Sequence, residues 1–393
     1  MPLVNGRRLV AALLLTAGLL SPQPAHARAR HAEPAGVRQA LDAMVAAGAP
    51  GVLARIDDDH GTWIATSGTA DLDTGTPVPR QARFRVASVT KSMVATLVLQ
   101  LVQEGRISLD EPIGRRLPGL VAHDDQITVR ELLNHTGGLA DYPKAAEFDD
   151  PEQYGRRTYT PDRLIAEAER LPRPPKGGFA YSNTGYILLG LLVEKVTGHD
   201  LGDELARRIF RPARMTRSYL PVTSQDIRGP HATGYYLPDG ADLADLRPIT
   251  RLNPSFAWAA YGVVSDARDL NRFYQALFSG KLVGPESLAQ MRTGVTTPQA
   301  PVFPHYGLGL ESVGLTCGET WGATGSIPGY ETFSFADAAG RRRMTLSINV
   351  QRNDPAVAPM LLAGIDALNR YFCGEPYSVS PQVKESAGRT DRP

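Results

Sequence analysis

Ser88-Val89-Thr90-Lys91-Ser92-Met93-Val94-Ala95-Thr96-Leu97-Val98-Leu99-Gln100-Leu101-Val102-Gln103, closed by Gly105, is the stretch that decides how this chain folds. Val89, Met93, Val94, Leu97, Val98, Leu99, Leu101 and Val102 cover nearly the whole circumference of a helix. A helix that is apolar all round offers no face to water and belongs at the centre of the molecule. Its first turn is different. Ser88 and Lys91, three residues apart, share one face, so a hydroxyl and an amine can meet there. The helix N-terminus adds partial positive charge and free N–H groups at the same place. A serine hydroxyl is a weak nucleophile until a base takes its proton. A buried lysine can be that base, because desolvation lowers its pKa by up to several units. A polar helix start is the plain alternative, but a lysine rarely enters so apolar a helix without a partner.

Outward from this helix, residues 37–47 read as a short helix carrying Val37, Leu41, Met44 and Val45. Residues 51–68 read as a hairpin, with Val52, Ala54 and Ile56 before a polar turn and Trp63 and Ile64 after it. From about 106 to 254 the pattern is helices and long loops. Thr128 and Glu131 form a capping box, Thr160-Pro161 opens a helix, and another runs from Thr184 to Val196 before Gly198. Residues 262–278 predict a further amphipathic helix. Strands are expected at 306–310, 320–324, 331–336 and 343–350, and a last helix from Asp354-Pro355 to Phe372. The remainder, 374–393, reads as a loose polar tail. Strands at both ends with helices between them predict an α+β fold, in which the two termini build one sheet and the middle forms a mostly helical lobe.

Two further stretches carry chemistry. Tyr181-Ser182-Asn183 precedes a predicted helix. A phenol near an ammonium can act as base or acid, and the Asn183 amide can hold both the lysine and a substrate carbonyl. Alone, the tripeptide is also an ordinary loop and N-cap. Gly322-Ala323-Thr324-Gly325-Ser326 lies on a predicted strand, whose small residues let a substrate backbone lie alongside. There the N–H groups of Ser326 and Ser88 can form an oxyanion hole. A glycine-rich strand bend is the simpler reading of that stretch.

The 393 residues are 42% hydrophobic with a formal charge of +1, enough for a large core and no electrostatic footprint for nucleic acid. Residues 1–27 read as an export signal, with Arg7 and Arg8, an apolar run Leu9–Leu20 and the small-residue end Ala25-His26-Ala27. No later apolar run reaches the ~18 to 20 residues of a spanning helix, so no stable membrane anchor is expected. The mature domain then covers 28–373 of a secreted protein. The only cysteines, Cys317 and Cys373, are too few for a structural zinc site. In an oxidising compartment they form one disulfide or remain two inert thiols.

Taken together and in this order, the Ser88 tetrad, Tyr181-Ser182-Asn183 and Gly322–Ser326 resemble the penicillin-binding protein and β-lactamase superfamily of active-site serine enzymes. The resemblance is strongest to secreted D-alanyl-D-alanine carboxypeptidases and class C β-lactamase-like proteins. Phe84-Arg85-Val86-Ala87, Leu132-Leu133-Asn134-His135-Thr136-Gly137-Gly138-Leu139, Trp258 with Gly262-Val263-Val264-Ser265, and Tyr306-Gly307-Leu308-Gly309 extend it over almost the whole chain. It implies a β-lactamase/transpeptidase-like fold, an antiparallel sheet of both termini flanked by helices plus the helical lobe. It implies catalysis by Ser88, Lys91 and Tyr181, with Ser88 acylated and neither metal nor organic cofactor. Substrate binding would fall to Asn183, Trp258, Thr324, Gly325 and Ser326, and the Cys317 and Cys373 positions match a pair in the carboxypeptidase branch. Two departures stand out. Ala323 replaces the histidine or lysine that opens the third motif, and Glu311 stands where that branch uses an arginine for the substrate carboxylate. The expected function is a serine D-Ala-D-Ala carboxypeptidase acting as a monomer on a small peptide, ester or β-lactam substrate. The alternatives are the same chemistry on an ester, an amide, a D-amino-acid peptide with a free amine or a β-lactam, or a non-catalytic binding or sensing protein.

Overall fold

The computed structural model describes residues 33–238, 240–352 and 354–378. The expected export segment and the tail from residue 379 onward lie outside them. In chain order, helix α1 (Val37–Ala46) leads into the hairpin β1 (Gly51–Asp58) and β2 (Gly61–Gly68). A short strand β3 (Arg83–Arg85) then delivers the chain to α2 (Val89–Gln103), with Ser88 at its N-cap. Helices α3 (Val129–Leu133), α4 (Pro151–Tyr154), α5 (Pro161–Ala168), α6 (Asn183–Thr197) and α7 (Leu201–Leu205) follow. The starts of α3 and α5 are set locally: Thr128 and Glu131 form the capping box, and Thr160 accepts the Arg163 N–H. Two-residue strands β4 (Tyr235–Tyr236) and β5 (Arg247–Pro248) precede α8 (Trp258–Tyr261), β6 (Val264–Asp266), α9 (Ala267–Phe278) and α10 (Pro285–Met291).

The C-terminal part carries β7 (Val295–Thr296), β8 (His305–Tyr306), β9 (Glu311–Leu315), β10 (Gly318–Ile327), β11 (Tyr330–Ala336), β12 (Arg343–Ile348) and β13 (Val350–Gln351), then α11 (Ala358–Cys373). Eight strands form one antiparallel sheet in the order β2-β1-β12-β11-β10-β9-β8-β7. Early and late segments of the described chain therefore meet inside the sheet, where Val52 of β1 stands opposite Ile348 of β12. Helices α1 and α11 cover one face, packing Leu41, Met44 and Leu368 with Phe333, Phe335 and Leu346. Residues of alternate parity face the other way. There Thr345 bonds Ser334 and Asn271 of α9 in a buried polar ladder. This is the α+β, β-lactamase-like architecture the sequence predicts, with α2 buried at its heart: every residue from Val89 to Leu99 is enclosed.

Two predicted elements differ. The expected helix at 262–278 begins only at Ala267, because Val264–Asp266 is extended to pair with β3, and Asp266 then caps α9 through the Asp269 N–H. The expected strand at 306–310 breaks after Tyr306. Gly309 adopts φ 76°, and a Cβ there would lie 2.3 Å from Ala95 Cβ, so the chain turns tightly over α2 before β9 starts at Glu311. This late start shapes the site. β9 pairs with β10 only as far as Gly322 opposite Glu311, so Ala323–Ile327 keeps a ladder partner in β11 and presents its other edge unpaired.

Candidate active site

Ser88 sits where α2 begins, after Ala87 in the left-handed region at φ 50°. Such a conformation costs a non-glycine residue about 1–3 kcal/mol and persists only when the surroundings hold it. It aims the Ser88 hydroxyl into a cavity of about 450 Å³ between the helices and the free edge of β10. Tyr181, Asn183, Tyr261, Tyr306, Glu311 and Ala323–Ile327 line the same cavity. Gly325 makes the approach of β10 possible: a Cβ there would stand 2.5 Å from Val86 O and 2.8 Å from Ser88 N.

Lys91 Nζ lies 3.1 Å from Ser88 Oγ, 2.7 Å from Asn183 Oδ1 and 3.0 Å from Ala260 O. It is 1% exposed, and the rings of Tyr181, Tyr186 and Tyr261 wall it in at 4.8, 5.5 and 5.6 Å. Burial brings its pKa down to about 7, against the opposing pull of Asp141 and Glu311. A neutral amine has two N–H bonds and one lone pair. Asn183 Oδ1 and Ala260 O accept the two hydrogens, which leaves the lone pair for the Ser88 proton.

Tyr181 Oη donates to Ser88 Oγ at 2.9 Å. Burial holds this phenol well above its ordinary pKa, and Glu311 and Asp141 raise it further. It therefore stays protonated. Of the two roles that the sequence leaves open for it, the geometry fits an acid, with the amine placed to serve as the base. Asn183 is itself held by Asp141, whose Oδ1 accepts both the Asn183 backbone N–H at 2.8 Å and its Nδ2 at 3.0 Å. Sequence reasoning passes over Asp141, since nothing in Ala140-Asp141-Tyr142 marks it.

On the strand side, Thr324 N–H donates to a carboxylate oxygen of Glu311. Backbone N–H groups two residues apart on a strand point to the same edge, so Ser326 N–H also faces the unpaired side. Glu311 lies in the cavity wall, and burial raises its pKa while Lys91 draws it back down. Ser326 Oγ bonds Glu331 Oε1 at 2.7 Å and accepts from Gln351 Nε2 at 3.2 Å.

The structure thus brings Ser88, Lys91, Tyr181, Asn183, Thr324, Gly325 and Ser326 together. It does not bring Trp258 into the cavity wall. That ring packs on α6, where a Cβ on Gly190 would meet its Cζ3 at 2.9 Å, and Tyr261, one helical step on, faces the cavity instead. Cys317 and Cys373 are bonded, with Cα atoms 5.5 Å apart, and tie the start of β10 to the end of α11. Among the described residues no cluster of His, Cys, Asp or Glu has the arrangement to hold a metal ion, and no helix is long and apolar enough to cross a membrane.

A helix-borne Ser-x-x-Lys beside a Tyr-x-Asn turn and the open edge of an antiparallel strand defines a class of acyl-transferring serine enzymes. Residues 37–368 match the family model described as Beta-lactamase, and the chain belongs to this family, as a serine hydrolase of the superfamily that includes the penicillin-binding proteins. A D-stereospecific amidohydrolase from Streptomyces sp. superposes with a TM-score of 0.78 at 34% identity, over 87% of this chain and 99% of that one. The D-amino acid amidase from Ochrobactrum anthropi SV3 superposes with a TM-score of 0.77 at 28% identity, over 86% and 98%. The putative penicillin-binding protein PbpX of Bacillus subtilis (strain 168) is 26% identical over 272 residues, 69% of this chain and 63% of its own length.

Proposed function

We propose that this protein hydrolyses amides, esters and short peptides whose acyl part is a D-amino acid with a free α-amine. The observation that carries the reading is the Glu311 carboxylate in the wall of the Ser88 cavity, beside the unpaired edge of β10. An anion there complements an ammonium on the acyl side and repels the terminal carboxylate of a D-Ala-D-Ala peptide. Ala323 adds no positive charge to offset it. The similar solved structures support the same direction, since their names are those of a D-stereospecific amidohydrolase and a D-amino acid amidase.

In this reading neutral Lys91 takes the Ser88 proton as Oγ attacks the substrate carbonyl. The Ser88 and Ser326 N–H groups receive the oxyanion. The C–N or C–O bond breaks, and Tyr181 protonates the departing atom, recovering its proton from Lys91 through the site. Water then attacks the acyl-enzyme by the reverse relay and releases the acid. Asn183 holds Lys91 and Thr324 lies along the substrate. No cofactor is called for. Residues 1–27 would direct export, which the Cys317–Cys373 disulfide supports, and the enzyme would act outside the cell as a monomer.

The test compares D- and L-phenylalanine amide, N-acetyl-D-phenylalanine amide and diacetyl-Lys-D-Ala-D-Ala, with Ser88→Ala as control. A charged hydrogen bond of about 1.5–3 kcal/mol predicts a ten- to hundredfold loss, roughly, on acetylating the amine or on Glu311→Gln. Release of D-alanine from the tripeptide, with indifference to the free amine, would restore the carboxypeptidase reading instead.

A further inference from the structure

The His135-Thr136-Gly137 stretch has no part in the reaction described above, yet it lies directly behind the tyrosine of the site. The His135 ring packs on Tyr181 with centroids 4.3 Å apart, and on Tyr306 and Tyr186 at 4.6 and 5.4 Å. Tyr181 hangs from this one residue on both sides: Ala180 N–H donates to His135 O at 2.9 Å, and Ser182 N–H donates to His135 Nδ1 at 3.2 Å. With Nδ1 an acceptor, the ring proton is on Nε2, which is buried and has no hydrogen-bond partner among the described residues. The backbone of His135 is also in the left-handed region, at φ 62°. Two costs, a strained backbone and an orphan donor, coincide at one position, and both are borne where the ring touches the phenol. Burial holds the imidazole pKa well below its ordinary value, and Lys91 when charged lowers it further.

We infer that His135 is a positioning residue, which fixes the Tyr181 phenol on Ser88 Oγ in the orientation from which it protonates a leaving group. A residue with this role matters in proportion to how much the leaving group needs a proton. Nitrophenolate departs without one, and methoxide does not. Holding the acyl group constant, with D-phenylalanine p-nitrophenyl and methyl esters, therefore separates positioning from general damage. His135→Phe keeps a ring on Tyr181 and removes the Nδ1 acceptor. His135→Asn keeps an acceptor and suits the left-handed backbone. We expect His135→Phe to lower kcat/KM, which reports acylation alone, by roughly a hundredfold on the methyl ester, the scale of a displaced general acid, with kcat/KM on the nitrophenyl ester little changed. His135→Asn should recover part of that loss. In a Tyr181→Phe background neither substitution should cost anything further on the methyl ester. Equal losses on the two esters, or losses that simply add to that of Tyr181→Phe, would overturn the inference. A failure of the substrate reading would show in the unmodified enzyme, as preference for an acylated amine, and leaves these ratios intact.

Discussion

Lys91 and Glu331 are two buried ionisable side chains, shifted in opposite directions by the same cause. Burial disfavours the charged form, so the amine falls to about 7 and the carboxyl rises to about 8. For Lys91 the consequence is kinetic. With the neutral amine proposed as the base, kcat/KM should rise with pH through about 7, and Lys91→Ala should lose roughly 10²–10⁴-fold. A pH profile flat between 6 and 8, measured by stopped-flow acylation, would count against a lysine base. For Glu331 the consequence is thermodynamic. Its folded pKa lies above its unfolded value of 4.5, so the folded chain holds a proton that the unfolded chain gives up. The stability this contributes is full below about 4.5 and is lost as pH climbs toward 8. Glu331→Gln should therefore flatten the fall in melting temperature between pH 5 and pH 8; identical slopes for the two proteins would refute this.

At the level of elements, the site is the meeting of α2, the turn before α6, and one strand edge. The α2 signal was complete in the sequence, since an all-round apolar helix with Ser88 and Lys91 in its first turn admits few other placements. The strand signal was half legible. Gly322–Ser326 by itself read more simply as a bend, and what makes it a site is that β9 begins only at Glu311, opposite Gly322, and leaves the edge beyond it free. Gly325→Ala tests this contact directly. Its Cβ would lie 2.8 Å from Ser88 N, so β10 must move away and the Ser326 N–H with it. The expected result is a loss of about a hundredfold in kcat, the scale of one lost oxyanion donor, with the far-ultraviolet dichroism unchanged. Wild-type turnover in this variant would mean that Ser326 N–H plays no part.

Over the molecule as described, the sheet pairs β1, early in the chain, with β12, late in it. The Cys317–Cys373 bond spans 56 positions and secures α11 to the C-terminal strands. On the chain-entropy model a loop of that length is worth about 4 kcal/mol, so Cys317→Ser with Cys373→Ser should lower the melting temperature while leaving kcat nearly as it was, because the bond lies outside the Ser88 cavity. A loss of activity without a loss of stability would point instead to a link between this corner and the site.

The sequence by itself determined the helix that must be central, the pairing of hydroxyl and amine one turn apart, the capped helix starts and the α+β order of elements. These are set by neighbours within a few positions, through periodicity, capping and turn chemistry. Tertiary structure alone decided that Asp141 steadies Asn183, that Glu311 reaches Thr324, that Tyr261 rather than Trp258 faces the cavity, and that His135 brackets Tyr181. Each of those depends on groups far apart along the chain or on which way one side chain turns. Such relations are fixed by packing, and no local pattern of residues records them.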